Sequence, residues 1–172
     1  QLRGLCHASS DSLYLAEGDL RKSLKFNPVD KDVWQNLALV VMQQEDWNKA
    51  IGTVDSLLMV SPRDSRAYLM RSQLALNTGD TLMAKDMMEK AVSYDRFSAD
   101  VYESRAILSM MTADYDSAMV DLDKAIDLMP NRSTAYVNRA LARFHKRDFR
   151  GALKDYDMAI YVEPASFEAH YN

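Results

Sequence analysis

From Asp148 to Val162 the apolar residues Phe149, Ala152, Leu153, Tyr156, Ala159 and Ile160 recur at spacings of three and four. That is the period of a helix with one buried stripe, and Pro164, two residues further on, forbids its continuation. The same pattern stands 34 residues earlier in Tyr115, Ala118, Met119, Leu122, Ala125 and Ile126. The step of 34 holds along the chain. Alanine recurs at Ala16, Ala50, Ala84, Ala118 and Ala152, and an aromatic at Trp34, Tyr68, Tyr102 and Tyr136, with His170 next in line. Proline recurs at Pro28, Pro62, Pro130 and Pro164, and Arg96 breaks that series. A fixed period of this size means stacked units, each a supersecondary element that buries its apolar face on its neighbours. No segment shows sustained period-two alternation, so no sheet is expected.

With the alanine set as the twentieth place of the repeat, the eighth place is always small: Gly4, Ala38, Ser72, Ala106 and Ala140. Small residues at both places let two helix backbones approach closely. The sixteenth place reads Ser12, Asp46, Asp80, Asp114 and Asp148, and the thirty-fourth Asp30, Asp64, Ser98, Arg132 and Ser166. All but Arg132 are good N-cap residues, whose side-chain oxygens accept from the free N–H groups at a helix start. Two starts per period make each unit a helix–turn–helix. First helices are predicted near 31–44, 65–78, 99–112 and 133–146, and second helices near 47–60, 81–94, 115–128 and 149–162. The units then run approximately 1–30 (partial), 31–64, 65–98, 99–132 and 133–166, with a further one starting at 167–172, in a single array over 1–172.

These columns together resemble the tetratricopeptide repeat family over essentially the whole chain. The best stretch, Tyr136 through Pro164, is similar to bacterial members whose first helix carries an Asn-Arg-small signature, here Asn138, Arg139 and Ala140. Arg96 in place of proline and a turn glycine only at Gly79 are local departures. The resemblance implies an all-α fold, a right-handed α-solenoid of antiparallel helix-turn-helix units with first helices lining the concave face. It also implies protein binding rather than catalysis. Chaperone-binding members hold a peptide's C-terminal carboxylate with Lys and Asn on successive first helices. Only Asn36 and Arg66 stand at matching places here, with Gln1, Leu5 and Met70 at the others, so that activity is not expected.

A net charge of -4, with Lys and Arg scattered among acids, argues against a nucleic-acid surface. No apolar run is long enough to span a membrane, so no membrane insertion is expected within these residues. The single Cys6 excludes an internal disulfide. Gln1 falls at the fifth place of a repeat and Asn172 at the sixth of another, which reads as a piece of a longer array. Localisation is therefore left open.

Two sets of residues carry candidate interactions. Arginine holds the seventh place at Arg3, Arg71, Arg105 and Arg139, and aspartate the twenty-third at Asp19, Asp121 and Asp155; where Leu37 replaces the arginine, Thr53 replaces the acid. The co-occurrence suggests a charge pair across each hairpin, Arg105 with Asp121 and Arg139 with Asp155 being the clearest. Arg71 is imperfect, with Met87 in the column and Asp86 beside it. The alternative is a ladder of arginines offered to an acidic partner. The second set lies at the fifth, ninth, twelfth and thirteenth places, which in the resembling family face the groove. The candidate groove residues are Leu39, Met42, Leu69, Gln73, Leu76, Ile107, Met110, Met111, Val137, Leu141 and Phe144 at these places, with Asn138 at the sixth place beside them. Gln35, Gln43, Asn77, Glu103 and His145 share the same places. A Met-rich apolar floor adapts to varied apolar side chains. The competing reading has neighbouring first helices burying this stripe between themselves. Asn36, Asn138 and Asn172 are further candidates for bonding a ligand backbone.

No chemistry emerges beyond these. His7, His145 and His170 fall at unrelated places and share no face with Cys6, so no metal site is expected. Asp121/Asp123 and Asp155/Asp157 are two apart on a helix and point different ways, which is wrong for paired acid–base work. No glycine-rich phosphate loop occurs, and no cofactor or catalytic residue is expected. The leading expectation is a non-catalytic interaction module or scaffold binding a protein or peptide. The rivals are the targeting arm of a larger enzyme or receptor, and a homo-oligomer formed through exposed ends. The last is motivated by Phe167 to Asn172, too short for a stable terminal helix.

Overall fold

The structure, a computed structural model, describes residues 2–164, with side chains from Ser12 onward. The described residues form nine helices and no strand: α1 (Leu2–Phe26), α2 (Lys31–Gln43), α3 (Trp47–Val60), α4 (Ser65–Asn77), α5 (Thr81–Tyr94), α6 (Ala99–Met111), α7 (Tyr115–Leu128), α8 (Ser133–His145) and α9 (Phe149–Val162). The architecture is an all-α helical-repeat solenoid. The chain divides into two compact units, residues 1–94 holding α1 to α5 and residues 95–172 holding α6 to α9. The expected caps at Ser166, and the candidates His170 and Asn172, lie outside the described residues, as do the side chains of Arg3, Cys6 and His7.

The hairpins starting at α2 and α4 begin on a side-chain cap. Asp30 accepts from the N–H groups of Asp32 and Val33, and Asp64 from those of Arg66 and Ala67. Asp46, Asp80, Asp114 and Asp148 cap the second helices through the N–H groups of Lys49, Met83, Ser117 and Gly151. Ser98 and Arg132 make no such bond. Ser12 differs more fundamentally: α1 runs through it without a break. The turn inside each of the four described hairpins passes through one left-handed residue, Glu45 (φ 59°), Gly79 (φ 82°), Ala113 (φ 57°) or Arg147 (φ 64°). Three of these have a Cβ and hold a conformation that L-residues disfavour. They tolerate it because burial of the two flanking helices outweighs the local cost.

The small columns sit where the backbones meet. Ala38, Ser72, Ala106 and Ala140 are fully buried, as are Ala50, Ala84 and Ala118. The Ser72 hydroxyl donates to the Ala84 carbonyl at 2.9 Å, which shows how near α4 comes to α5 and satisfies the buried polar atom. The aromatic and proline columns are linked by hydrogen bonds. Trp34 Nε1 donates to the Pro28 carbonyl at 2.8 Å, and the Tyr68 and Tyr136 hydroxyls donate to those of Pro62 and Pro130 at 3.1 Å. In the first unit Leu37, Ala38 and Val41 of α2 pack on Ala50 and Val54 of α3 and on Met70 and Leu74 of α4. In the second, Ala106, Ala118, Leu122 and Ala135 form one core cluster, and Tyr136, Val137, Ala140, Ala152 and Tyr156 another.

Candidate protein-binding face

The stripe of fifth, ninth, twelfth and thirteenth places on the first helices is not uniform. On α6 and α8 of the second unit Ile107, Met111 and Phe144 are exposed, Met111 to 65% and Phe144 to 52%. Phe144 stands edge-on to Phe149 at 5.3 Å between ring centroids and edge-on to His145, which itself stacks on Tyr115 at 4.8 Å. Met110 and Leu141, by contrast, are half-buried against the two cores. Val137 is withdrawn from the face altogether, 4% exposed within the core around Tyr136 and Tyr156. It stands one turn from the start of α8, where the neighbouring helices close over it. In the first unit Leu39 and Gln73 are exposed, Leu69 and Leu76 half-buried, and Met42 packs on the core of α2 to α4. Leu39 and Gln43 of α2 join Asn36, and α1 residues including Asp19 and Leu20, around a groove of about 590 Å³.

Asn138 is already engaged. Its Nδ2 donates to Glu103 Oε1 at 2.9 Å, and Glu103, buried on the face where a groove residue was expected, also pairs with Arg132. Arg132 pairs in addition with Asp100. Burial opposes the charge of Arg132, but Asp100 and Glu103 outweigh it and raise its pKa above the ordinary arginine value. Thus the one residue in the cap column that cannot cap serves a buried carboxylate instead. The only sequence signal was Arg132 itself, out of character at its place.

Two of the seventh-place arginines, Arg105 and Arg139, pair within their own hairpins. Arg105 grips Asp121 bidentately, Nε at 2.8 Å from Oδ2 and Nη2 at 2.7 Å from Oδ1. Arg139 grips Asp155 in the same way at 2.9 and 2.7 Å and extends Nη1 to Asp123 of α7 at 2.6 Å. Arg143 adds Nη1 at 2.8 Å from Asp155 Oδ2. Burial disfavours the Arg139 charge, yet its bonds to Asp155 and Asp123 prevail and hold its pKa above the ordinary arginine value. Arg71 turns to Asp55 of the preceding α3 at 3.0 Å, while Asp86 pairs with Lys90. Asp55 and Asp123 lie sixteen residues before their arginines and 68 apart, two periods, a column that sequence reading passed over. Asp19, in the same twenty-third place as Asp121 and Asp155, pairs with Lys22.

The arrangement has apolar and amide side chains on first-helix faces, paired charges inside the hairpins, and among the described residues no cluster of His, Cys, Asp and Glu that could hold a metal. No helix of the described residues is long and apolar enough to cross a membrane. The helices and their order define an all-α helical-repeat fold. Residues 65–97 match the model of the tetratricopeptide repeat, and this stretch is such a repeat. No curated protein matches the sequence. Among solved structures, the chain is similar to pilF of Pseudomonas aeruginosa (TM-score 0.78, 19% identity, 94% of this chain and 73% of that one). It is similar to YrrB, described as a TPR protein with an unusual peptide-binding site (TM-score 0.71, 16% identity, 95% and 84%). It is also similar to the first TPR of Spaghetti (RPAP3) bound to the HSP90 peptide SRMEEVD (TM-score 0.60, 24% identity, 63% and 86%). At these identities the likeness is one of fold.

Proposed function

We propose that this chain is a non-catalytic protein-interaction module that holds an amphipathic helix or extended peptide on the exposed faces of its first helices. The observation that carries the reading is the exposure of Ile107, Met111 and Phe144 on α6 and α8 of one unit, large apolar side chains that the hairpin cores leave to solvent. Such anchors dominate peptide interfaces. Two neighbours of the same fold support it: YrrB by its peptide-binding site, and the Spaghetti repeat by its bound peptide. A carboxylate clamp of the chaperone-binding kind is not part of the proposal, because Met70, at one clamp place, is buried.

The test is selection from a library of helical and extended peptides on the immobilised chain, repeated with Met111→Glu and Phe144→Glu. Peptides retained by the wild type should lose at least about tenfold in affinity on both variants, while Lys124→Glu on α7 leaves them bound. Equal retention by both groove variants would overturn the reading. The self-assembly rival predicts instead a mass that rises with concentration in light scattering.

A further inference from the structure

The turn between α8 and α9 differs from the turns of the earlier hairpins in the charge it carries. The stretch from Arg143 to Arg150 holds four cations, Arg143, Lys146, Arg147 and Arg150, against the single acid Asp148. Arg147 and Arg150 stand at the fifteenth and eighteenth places of the repeat. The earlier turns have Glu45 and Asn48, Gly79 and Leu82, and Ala113 and Asp116 at those places, so none of them carries a cation there.

Two of the four cations hold the turn in place. Arg143 reaches across to α9, where its Nη1 donates to the Gly151 carbonyl at 3.2 Å and pairs with Asp155, and Lys146 pairs with Asp116 of α7. Asp148 closes the turn by accepting from the Gly151 N–H at 2.9 Å. The other two cations are uncommitted: Arg147 and Arg150 are exposed and, among the described residues, enter no ion pair. Two phenyl rings share the turn with them. The Arg147 N–H donates to the Phe144 carbonyl at 2.9 Å, and Phe149 immediately precedes Arg150. Phe144 and Phe149 meet edge to face and are each about half exposed.

Exposed rings beside unpaired guanidinium groups suit a ligand that brings an apolar side chain and carboxylates together. The rings bury the anchor, and each arginine fork can take a carboxylate through two parallel bonds. A long polyanion suits the turn less well. Nucleic acid or an anionic bilayer would run past the two arginines onto Asp148, onto the exposed Asp116 and onto a chain of net charge -4, and each needs a stripe of cations. We propose that the turn between α8 and α9 docks an acidic peptide whose aromatic or aliphatic anchor lies between carboxylates. The anchor rests on Phe144 and Phe149, and the carboxylates meet Arg147 and Arg150. The proposal rests on the reading that this chain holds a peptide at Phe144, and it adds the charge of that peptide and a seat beyond the first-helix face. Because Arg143, Lys146 and Asp148 hold the turn before any ligand arrives, little ordering opposes binding.

The experiment is fluorescence anisotropy on the full chain with two labelled Gly-Ser peptides, one carrying Glu-Glu-Phe-Glu-Glu and the other Gln-Gln-Phe-Gln-Gln. At low salt the acidic peptide should bind at least about tenfold more tightly, and added salt should shrink the difference. Arg147→Asn with Arg150→Gln should abolish the preference while the affinity for the glutamine peptide and the circular dichroism spectrum stay unchanged. Asparagine is chosen because it tolerates the left-handed backbone of Arg147. Phe149→Ser should weaken both peptides. Equal affinity of the two peptides for the wild type would overturn this proposal and leave the first-helix reading standing, since that reading is judged by library capture and Met111→Glu. A preference that survives in the double variant would overturn it by placing the responsible cations elsewhere, and binding of neither peptide would overturn it as well. Tighter binding of phosphatidylserine vesicles or of oligodeoxythymidine, lost in the same double variant, would overturn it in favour of a bilayer or a single strand.

Discussion

Removal of Arg139 and of Arg105 should destabilise the second unit by unequal amounts, for a reason visible in the geometry. Asp121 and Asp155 are 5% and 2% exposed, so neither carboxylate can return to water when its arginine is lost. Breaking a buried pair from one side typically costs about 3–5 kcal/mol, because the survivor is left charged and uncompensated. For Arg105→Met that range applies to Asp121, which is held by a bidentate grip. Arg139→Met removes the larger network, but Arg143 stays 2.8 Å from Asp155. We therefore expect a smaller loss, about 2–3 kcal/mol, rising to the full range only in Arg139→Met with Arg143→Met. Arg139→Met with Asp155→Leu should recover most of the loss, since no charge is then stranded. Urea unfolding followed by circular dichroism measures each variant, and the double-mutant cycle isolates the pair. A coupling near zero between Arg139 and Asp155 would refute the reasoning, as would a larger loss for Arg139→Met than for Arg105→Met.

Ala113→Gly, at the left-handed residue between α6 and α7, should raise stability by about 0.5–1 kcal/mol in the same assay, and a loss would show that the turn is not strained. Met110→Glu should unfold the second unit at lower urea because Met110 packs on the core around Leu122, whereas Met111→Glu should leave the midpoint nearly unchanged. Burial works against ionised Glu17, but hydrogen bonds from Lys49 and Arg21 prevail and depress its pKa to about 2. A depressed carboxylate stabilises the fold fully above its unfolded pKa, so its contribution should fade as pH drops from about 5 to about 2. Glu17→Gln should flatten that part of the stability curve, and an unchanged acid limb would refute the assignment.

The repeat, the hairpins and most of their caps are legible in the sequence because each rests on short-range chemistry: an aspartate before an apolar stripe, a proline after it, small residues where helices meet. The aromatic and proline columns recur together because one side chain bonds the other residue's carbonyl six positions away, as Tyr136 does to Pro130. What the period could not decide is which of two equidistant partners a side chain takes. Arg139 has an aspartate both sixteen residues forward, in its own hairpin, and sixteen back, in the one before, whereas Arg71 has Met87 forward and Asp55 back. Arg71 turns to Asp55, and Arg139 bonds both aspartates, a sharing that only the packing of successive helices makes possible. The same holds for the binding face. Places in the repeat assign Val137 and Met111 alike to one stripe, and Glu103 with them, yet Val137 and Glu103 are buried and Met111 is exposed. Burial depends on how closely the neighbouring helices cover each position, and Glu103 is drawn in by Arg132 and Asn138, 29 and 35 residues away.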